Sequence, residues 1–232
     1  ARKPSVRGAP AGDILMTSAV VTEDGARSVI HFPCPMTAPE VSIIDTWHTL
    51  GMRATGSHDL AIEGLFVPDD KIAVKRPAGQ WHPLFFTLAT VAFPLIYAVY
   101  VGVAERARDV AVELPSARPA SPAALVRAGQ MDTGLTAARL AHAHMMAAAE
   151  RNAPSAQSIN DVMTGRRLVE ENAIATVEHA LELAGGTGFY RSSELERHFR
   201  DIQAARYHPL QKEAQTEYAG AMALGQPVAN IF

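Results

Sequence analysis

Gly185-Gly186-Thr187-Gly188-Phe189-Tyr190-Arg191-Ser192-Ser193-Glu194-Leu195-Glu196-Arg197-His198-Phe199-Arg200-Asp201-Ile202-Gln203-Ala204-Ala205-Arg206-Tyr207-His208-Pro209 is a corner between helices. A long helical pattern runs into Gly185 and Gly186 and stops, because adjacent glycines accept the left-handed conformation that ends a helix. They also leave backbone bare, so a ligand can approach it closely. A second helical pattern follows over 191–207. Ser192 or Ser193 can cap it, and Glu194 and Glu196 stand in its first turn, where the helix dipole favours acids. Leu195, Phe199 and Ile202 give it one apolar face. Arg200 and Asp201 beside that face suggest an ion pair, and Pro209 opens the next segment.

Upstream of this corner the pattern is helical back to about residue 84. Helices are expected over 84–114, with Pro94 early in the first, 122–150 and 156–184, and a last one over 209–224. The proline-rich stretch 115–122 and Asn152-Ala153-Pro154-Ser155 separate the first three. On the third, Ile174, Val177, Leu181 and Ala184 share a face. Long helices with short connections predict an up-and-down bundle.

Residues 1–80 read differently. Strands are expected over 14–21, 28–32, 41–44 and 60–67, with a fifth starting at 71–74. Glu23-Asp24-Gly25 is a turn signal, and Pro33, Pro35 and Pro39 mark an irregular crossing. The fold class is therefore α+β: an antiparallel β segment over 1–80, then a helical bundle over 81–232.

Composition narrows the function. The chain has 232 residues and a net charge of −3, so no basic footprint for nucleic acid is present. Cys34, the single cysteine, excludes an internal disulfide and a cysteine-based zinc site. The nine histidines form no HExxH pattern, and His142 and His144 do not share a helix face, so no metal site is expected. No glycine-rich loop opens a helix after a strand, which excludes a dinucleotide fingerprint and a phosphate-binding loop. Ser57-His58-Asp59 has triad residue types, but sequence neighbours do not build a triad; turn formation or cofactor contact fits them better. Residues 84–104 come nearest to a membrane span, yet Pro94 interrupts them and Arg106 and Arg108 follow, so a core helix of a soluble, cytoplasmic protein is expected.

Two motifs give the chain a family likeness. GGTGFY, then ERHFRD, then His208 eight residues after Arg200, resembles the carboxy-terminal signature of the acyl-CoA dehydrogenase superfamily. Residues 47–68, WHTLGMRATGSHDLAIEGLFVP, resemble that superfamily's W-x-x-x-G-M-R-x-T-x-S segment and its closing V-P. The resemblance implies that residues 1–80 are part of a β-barrel-like middle domain. It also implies a flavin, FAD or alternatively FMN, and a homotetramer built through the helical bundle. By the same likeness Gly185, Gly186 and Thr187 approach the cofactor, and Arg118 reaches its phosphates. Glu182 occupies the place of a flavin-contacting glutamine. Ser5-Val6-Arg7-Gly8 stands where the family has an aromatic-x-Ser/Thr before a glycine, so Arg7 is the candidate there.

The resemblance also frames the chemistry. Many of these dehydrogenases use a glutamate nine residues after the arginine of the RD pair; here that position is Pro209, and His208 precedes it. A histidine there resembles the superfamily's flavin monooxygenases, which makes His208 the catalytic candidate. Three readings follow: oxidation of an acyl-CoA thioester at Cα–Cβ; oxygenation of an aromatic substrate by a two-component monooxygenase; or a catalytically silent oligomerisation module. The last is suggested by the opening Ala1-Arg2-Lys3-Pro4, which corresponds to the later part of the family's chains.

Overall fold

In a computed structural model the β-branched and apolar runs of the first eighty residues pair as antiparallel strands, and the helical patterns form five α-helices among the described residues. The structure describes residues 1–79, 82–114 and 120–228. It divides into two compact units, Ala1–Gln80 and Trp81–Phe232.

The first unit holds two three-stranded sheets. The strands are β1 (Arg2–Lys3), β2 (Ile14–Glu23), β3 (Ala26–Pro35), β4 (Val41–Ile44), β5 (Asp59–Ile62) and β6 (Val74–Pro77). One sheet runs β1-β5-β4, the other β2-β3-β6. Asp24 and Gly25 both take positive φ, 49° and 79°, and close the β2–β3 hairpin as a two-residue turn. Ile30, Phe32 and Cys34 of β3 and Ile62 of β5 form a common core, with Leu15, Val21 and Val41 packed on it.

Three sequence expectations are corrected in this unit. Pro33 and Pro35 do not interrupt β3; they lie inside it. The carbonyls of Arg27 and His31 accept from Ala78 and Ala73 on the β6 side, so residues of the same parity aim their nitrogens that way. β6 pairs only as far as His31, so among the described residues both prolines lack an N–H where no strand asks for one. The run 60–67 is a strand only to Ile62, because Gly64, at φ 76°, turns the chain. Residues 69–71 form a 3-10 turn, and the last strand starts at Val74.

The second unit is built from α1 (Leu84–Glu113), α2 (Pro122–Glu150), α3 (Ala156–Ala184), α4 (Glu194–Ile202) and α5 (Lys212–Ala223). Ser121, followed by Pro122 in the first turn, caps α2, and a reciprocal Ser155/Ser158 capping box starts α3. α1 runs unbroken through Pro94, whose carbonyl lies 2.9 Å from His142 Nε2 on α2. The core lies along Tyr97, Tyr100, Ala104 and Ala107 of α1, Met131, Leu135, Ala138 and Met145 of α2, and Val169, Ala173 and Val177 of α3.

Small residues let α2 and α3 approach closely. A Cβ on Gly165 would sit 2.4 Å from Met145 Cγ and 3.0 Å from the Ala141 carbonyl oxygen. One on Gly134 would sit 3.0 Å from Thr176 Oγ1. Gly129, on the same helix, meets nothing within 4 Å. Gly165→Ala should therefore destabilise the protein by about 1–3 kcal/mol through overpacking. Gly129→Ala should stabilise it by about 0.5–1 kcal/mol through backbone entropy. Thermal or urea denaturation of the two variants side by side checks both signs.

Candidate active site

The corner motif folds in three pieces. Gly185 ends α3 at φ 60°, ψ −145°, and donates its N–H to the Leu181 carbonyl. Gly185–Phe189 form a 3-10 turn, and Ser193 caps α4 by accepting from the Leu195 N–H at 3.2 Å. The glycines divide the work. A Cβ on Gly185 or Gly186 would meet nothing within 4 Å, and both, with Thr187, face solvent. Gly188 is the packing glycine: a Cβ there would meet Leu181 Cδ2 at 3.0 Å and Ala184 Cβ at 3.2 Å. The motif gave no sign of this division, because every glycine in it is compatible with a turn.

The second half of the motif departs from a simple helix. α4 ends at Ile202, and Gln203–Tyr207 tighten into a 3-10 turn, so the expected helix over 191–207 is shortened. The reason is a competing set of hydrogen bonds. The Tyr97 hydroxyl donates to the Ala205 carbonyl at 2.6 Å. Arg166, wholly buried on α3, donates to the carbonyls of Leu210 (2.5 Å), His208 (2.9 Å) and Ala205 (3.3 Å). Ala205 lies in the 3-10 turn, while His208 and Leu210 belong to the link before α5, so Arg166 supplies donors to carbonyls outside the regular helices. The guanidinium also lies 5.4 Å from the Tyr97 ring centroid and 3.3 Å from Glu170 Oε2. Burial pushes the Tyr97 phenol well above its ordinary value, which keeps it a neutral donor.

His208 stands where this cradle ends. Its ring nitrogen Nε2 is 2.6 Å from the Tyr100 hydroxyl, and its ring meets Tyr97 edge-on at 5.8 Å between centroids. Its backbone is extended, with φ −74° and ψ 148°. Tyr100 is 2% exposed and His208 half-buried.

One expectation about α4 changes. The buried face is Leu195, His198 and Ile202, while Phe199 is 37% exposed. Arg200 gives two hydrogen bonds to Glu196, one turn back, at 2.7 and 3.0 Å. Burial, with Arg197 nearby, lowers the His198 pKa and favours its neutral form.

Glu182 pairs with Arg127 of α2 and lies 3.5 Å from His179. Arg127 was missed because nothing in the sequence ties it to the glycine turn; the packing of α2 on α3 does. Arg118 lies outside the described residues. Arg7 is exposed in a turn of the first unit. That turn lies on the Trp47–Asp59 loop: Val6 N–H donates to His58 O, and Gly8 N–H to Thr55 O. Within that loop Trp47 Nε1 donates to Met52 O at 3.1 Å, and His58 Nδ1 lies 3.2 Å from the N–H nitrogens of both Thr46 and Trp47. Asp59 accepts from Arg2 and from the Ser5 N–H, and those bonds hold its carboxyl below the usual range. Ser57-His58-Asp59 thus acts as a set of turn formers.

An antiparallel β unit and a bundle whose third helix ends in a bare glycine turn define an acyl-CoA dehydrogenase-like fold. The family model described as "Acyl-CoA dehydrogenase, C-terminal domain" matches residues 95–213, and the chain belongs to that family. Amino sugar nitrososynthase DnmZ of Streptomyces peucetius is 29% identical over 201 residues, 82% of this chain and 50% of the relative. Indole-3-acetate monooxygenase of Pseudomonas putida is 27% identical over 203 residues, 81% of this chain and 52% of the relative. A solved structure of KijD3 in complex with FMN and dTDP-3-amino-2,3,6-trideoxy-4-keto-3-methyl-D-glucose superposes with a TM-score of 0.92. It is 28% identical, and the match covers 97% of this chain and 59% of that one. The chain spans about half the length of the curated relatives it matches.

Arg166 is the residue on which this geometry rests. Arg166→Met keeps the volume but leaves three carbonyls and Glu170 without their buried cation. The expected loss is about 3–5 kcal/mol, the usual cost of breaking a buried pair from one side. Chemical denaturation measures it; Arg167→Met, on the solvent side of Glu170, should cost much less.

Proposed function

We propose that this chain serves a flavin-dependent monooxygenase that transfers one atom of O2 to a small molecule. The observation that carries the reading is His208. A histidine, rather than a carboxylate, follows the 3-10 turn after α4, and its Nε2 is hydrogen-bonded to Tyr100 at 2.6 Å. The relatives support the same direction. One is named a monooxygenase, and a nitrososynthase must add oxygen to the nitrogen of an amino sugar. The substrate class we favour is accordingly an amine carried on a sugar nucleotide, as in the KijD3 complex.

The residues fit a flavin. Gly185 and Gly186 offer exposed backbone with open space where side chains would stand, and Thr187 adds an exposed hydroxyl. These three would hold FAD or FMN, with Arg7 and Arg118 as further candidates from the family likeness. Bound in reduced form, it supplies the two electrons that let one oxygen atom enter the substrate while the other leaves as water. The chain's own part is to keep a proton at a defined atom of His208 and to hold that ring still between Tyr97 and Tyr100. Oxidation of an acyl-CoA at Cα–Cβ is the second reading, favoured by the description of the matched family. It needs a base at the thioester's α-carbon, and His208 is the titratable residue nearest the family's base position.

Supplied with reduced flavin, the protein should consume O2 in proportion to an amino sugar nucleotide oxidised. His208→Ala should slow this by about 10²–10⁴-fold while flavin binding, followed by its visible spectrum, is retained. An unchanged rate would end the assignment of His208. Bleaching of bound flavin by an acyl-CoA without oxygen would instead favour the dehydrogenase.

We also propose a homotetramer formed through the bundle in a cytoplasmic setting. α1 is long and apolar enough to cross a membrane by length and composition. However, one of its faces is the bundle core. The opposite face exposes Leu88, Val91, Leu95 and Val99, a stripe at helical spacing that a second copy would cover. Sedimentation equilibrium should return four times the chain mass, and Leu95→Arg should lower it.

A further inference from the structure

We propose that Tyr100 is the positioning residue of His208: its hydroxyl donates to Nε2 and so fixes the imidazole proton on Nδ1. The inference rests on the reading of His208 given above. Three observations lead to it.

First, the contact is short and enclosed. The hydroxyl and Nε2 are 2.6 Å apart, and Tyr100 is 2% exposed. A hydrogen bond in such surroundings is stronger than the same bond in water.

Second, the partners are unequal. A phenol is a good donor, and an unprotonated imidazole nitrogen is a good acceptor. The two tautomers of a neutral imidazole are told apart by the bond each nitrogen makes. Donation from Tyr100 selects the tautomer that carries its proton on Nδ1.

Third, the backbone of His208 is held and its ring is flanked on two sides. The His208 carbonyl is gripped by Arg166 at 2.9 Å. Tyr97 and Tyr100 flank the ring, with centroids 5.8 and 5.5 Å away. Among the described residues, the charged and titratable groups around it include these two tyrosines from α1 and, from α3, Arg166 with Glu170 behind it. A tautomer fixed this way presents an N–H donor, rather than a lone pair, from Nδ1. That suits hydrogen-bond donation to an oxygen that gains charge during reaction, more than abstraction of a proton from carbon.

The test reads the proton directly. Protein labelled with heavy nitrogen in its histidine rings is examined by long-range proton–nitrogen correlation at about pH 8, where an ordinary imidazole is neutral. The His208 signals are identified by their loss in His208→Gln. In the unsubstituted protein the expected pattern is protonated Nδ1 and bare Nε2. In Tyr100→Phe, which removes only the hydroxyl, the pattern should move toward protonated Nε2. Turnover of that variant should fall about tenfold in kcat with little change in KM, the effect of one lost hydrogen bond.

Protonated Nε2 in the unsubstituted protein overturns the proposal, whatever becomes of the variant. So does an unchanged pattern in Tyr100→Phe, or an unchanged kcat there while His208→Ala is impaired. The role of His208 is decided separately, by the rate of His208→Ala.

Discussion

The fold of the corner depends on one buried cation. Arg166 has no exposed surface, yet it is paired with Glu170 and bonded to three carbonyls of the segment that follows α4. A guanidinium suits this place because its donors are fixed in a planar fork, and because its face can lie on the Tyr97 ring. A lysine would offer a point charge and could not span carbonyls at residues 205, 208 and 210. Desolvating the charge is costly, and the neighbouring carboxylate and carbonyl dipoles offset that cost. The consequence is positional. The chain after α4 cannot continue as a regular helix while its carbonyls are held by Arg166 and Tyr97, so it tightens and then straightens at His208.

Much of this architecture is legible in the sequence, and the reasons for what is not are specific. Helix limits were readable because they are written in local chemistry. Ser121-Pro122, Ser155 and Gly185 each satisfy or release backbone groups within a few residues. The hairpin at Asp24-Gly25 is of the same kind. Arg166 was not legible. In the pattern of α3 it is one more charged residue beside Arg167, and only tertiary packing distinguishes a wholly buried arginine from its partly covered neighbour. The same holds for His198 and Phe199, where spacing favours the phenylalanine for the core and the structure buries the histidine.

The candidate site was legible in part, and the division follows range. The glycine turn and His208 belong to one stretch, so a single motif names both. Tyr97 and Tyr100 lie over a hundred residues earlier, on a helix whose composition reads only as apolar core. Arg127 meets Glu182 for the same reason: two helices packed side by side bring together residues that no local pattern relates. Gly134 and Gly165 were likewise silent. A glycine inside a helical pattern reads as a weakness, whereas here it lets two backbones come close enough that a methyl group has no room.

The two prolines inside β3 have a consequence for the life of the protein outside its own fold. Among the described residues, no strand pairs with the β6-facing flank of β3 beyond His31. An unpaired flank of this kind is a template for a strand from another molecule, and it is how folded proteins begin to stick to one another in a crowded cell. At Pro33 and Pro35 that flank lacks the donors an incoming strand would need. A visiting segment would find acceptors without their matching N–H groups and could not zip along it. The stretch that looked in the sequence like a break in the sheet therefore acts as a guard along that side of β3.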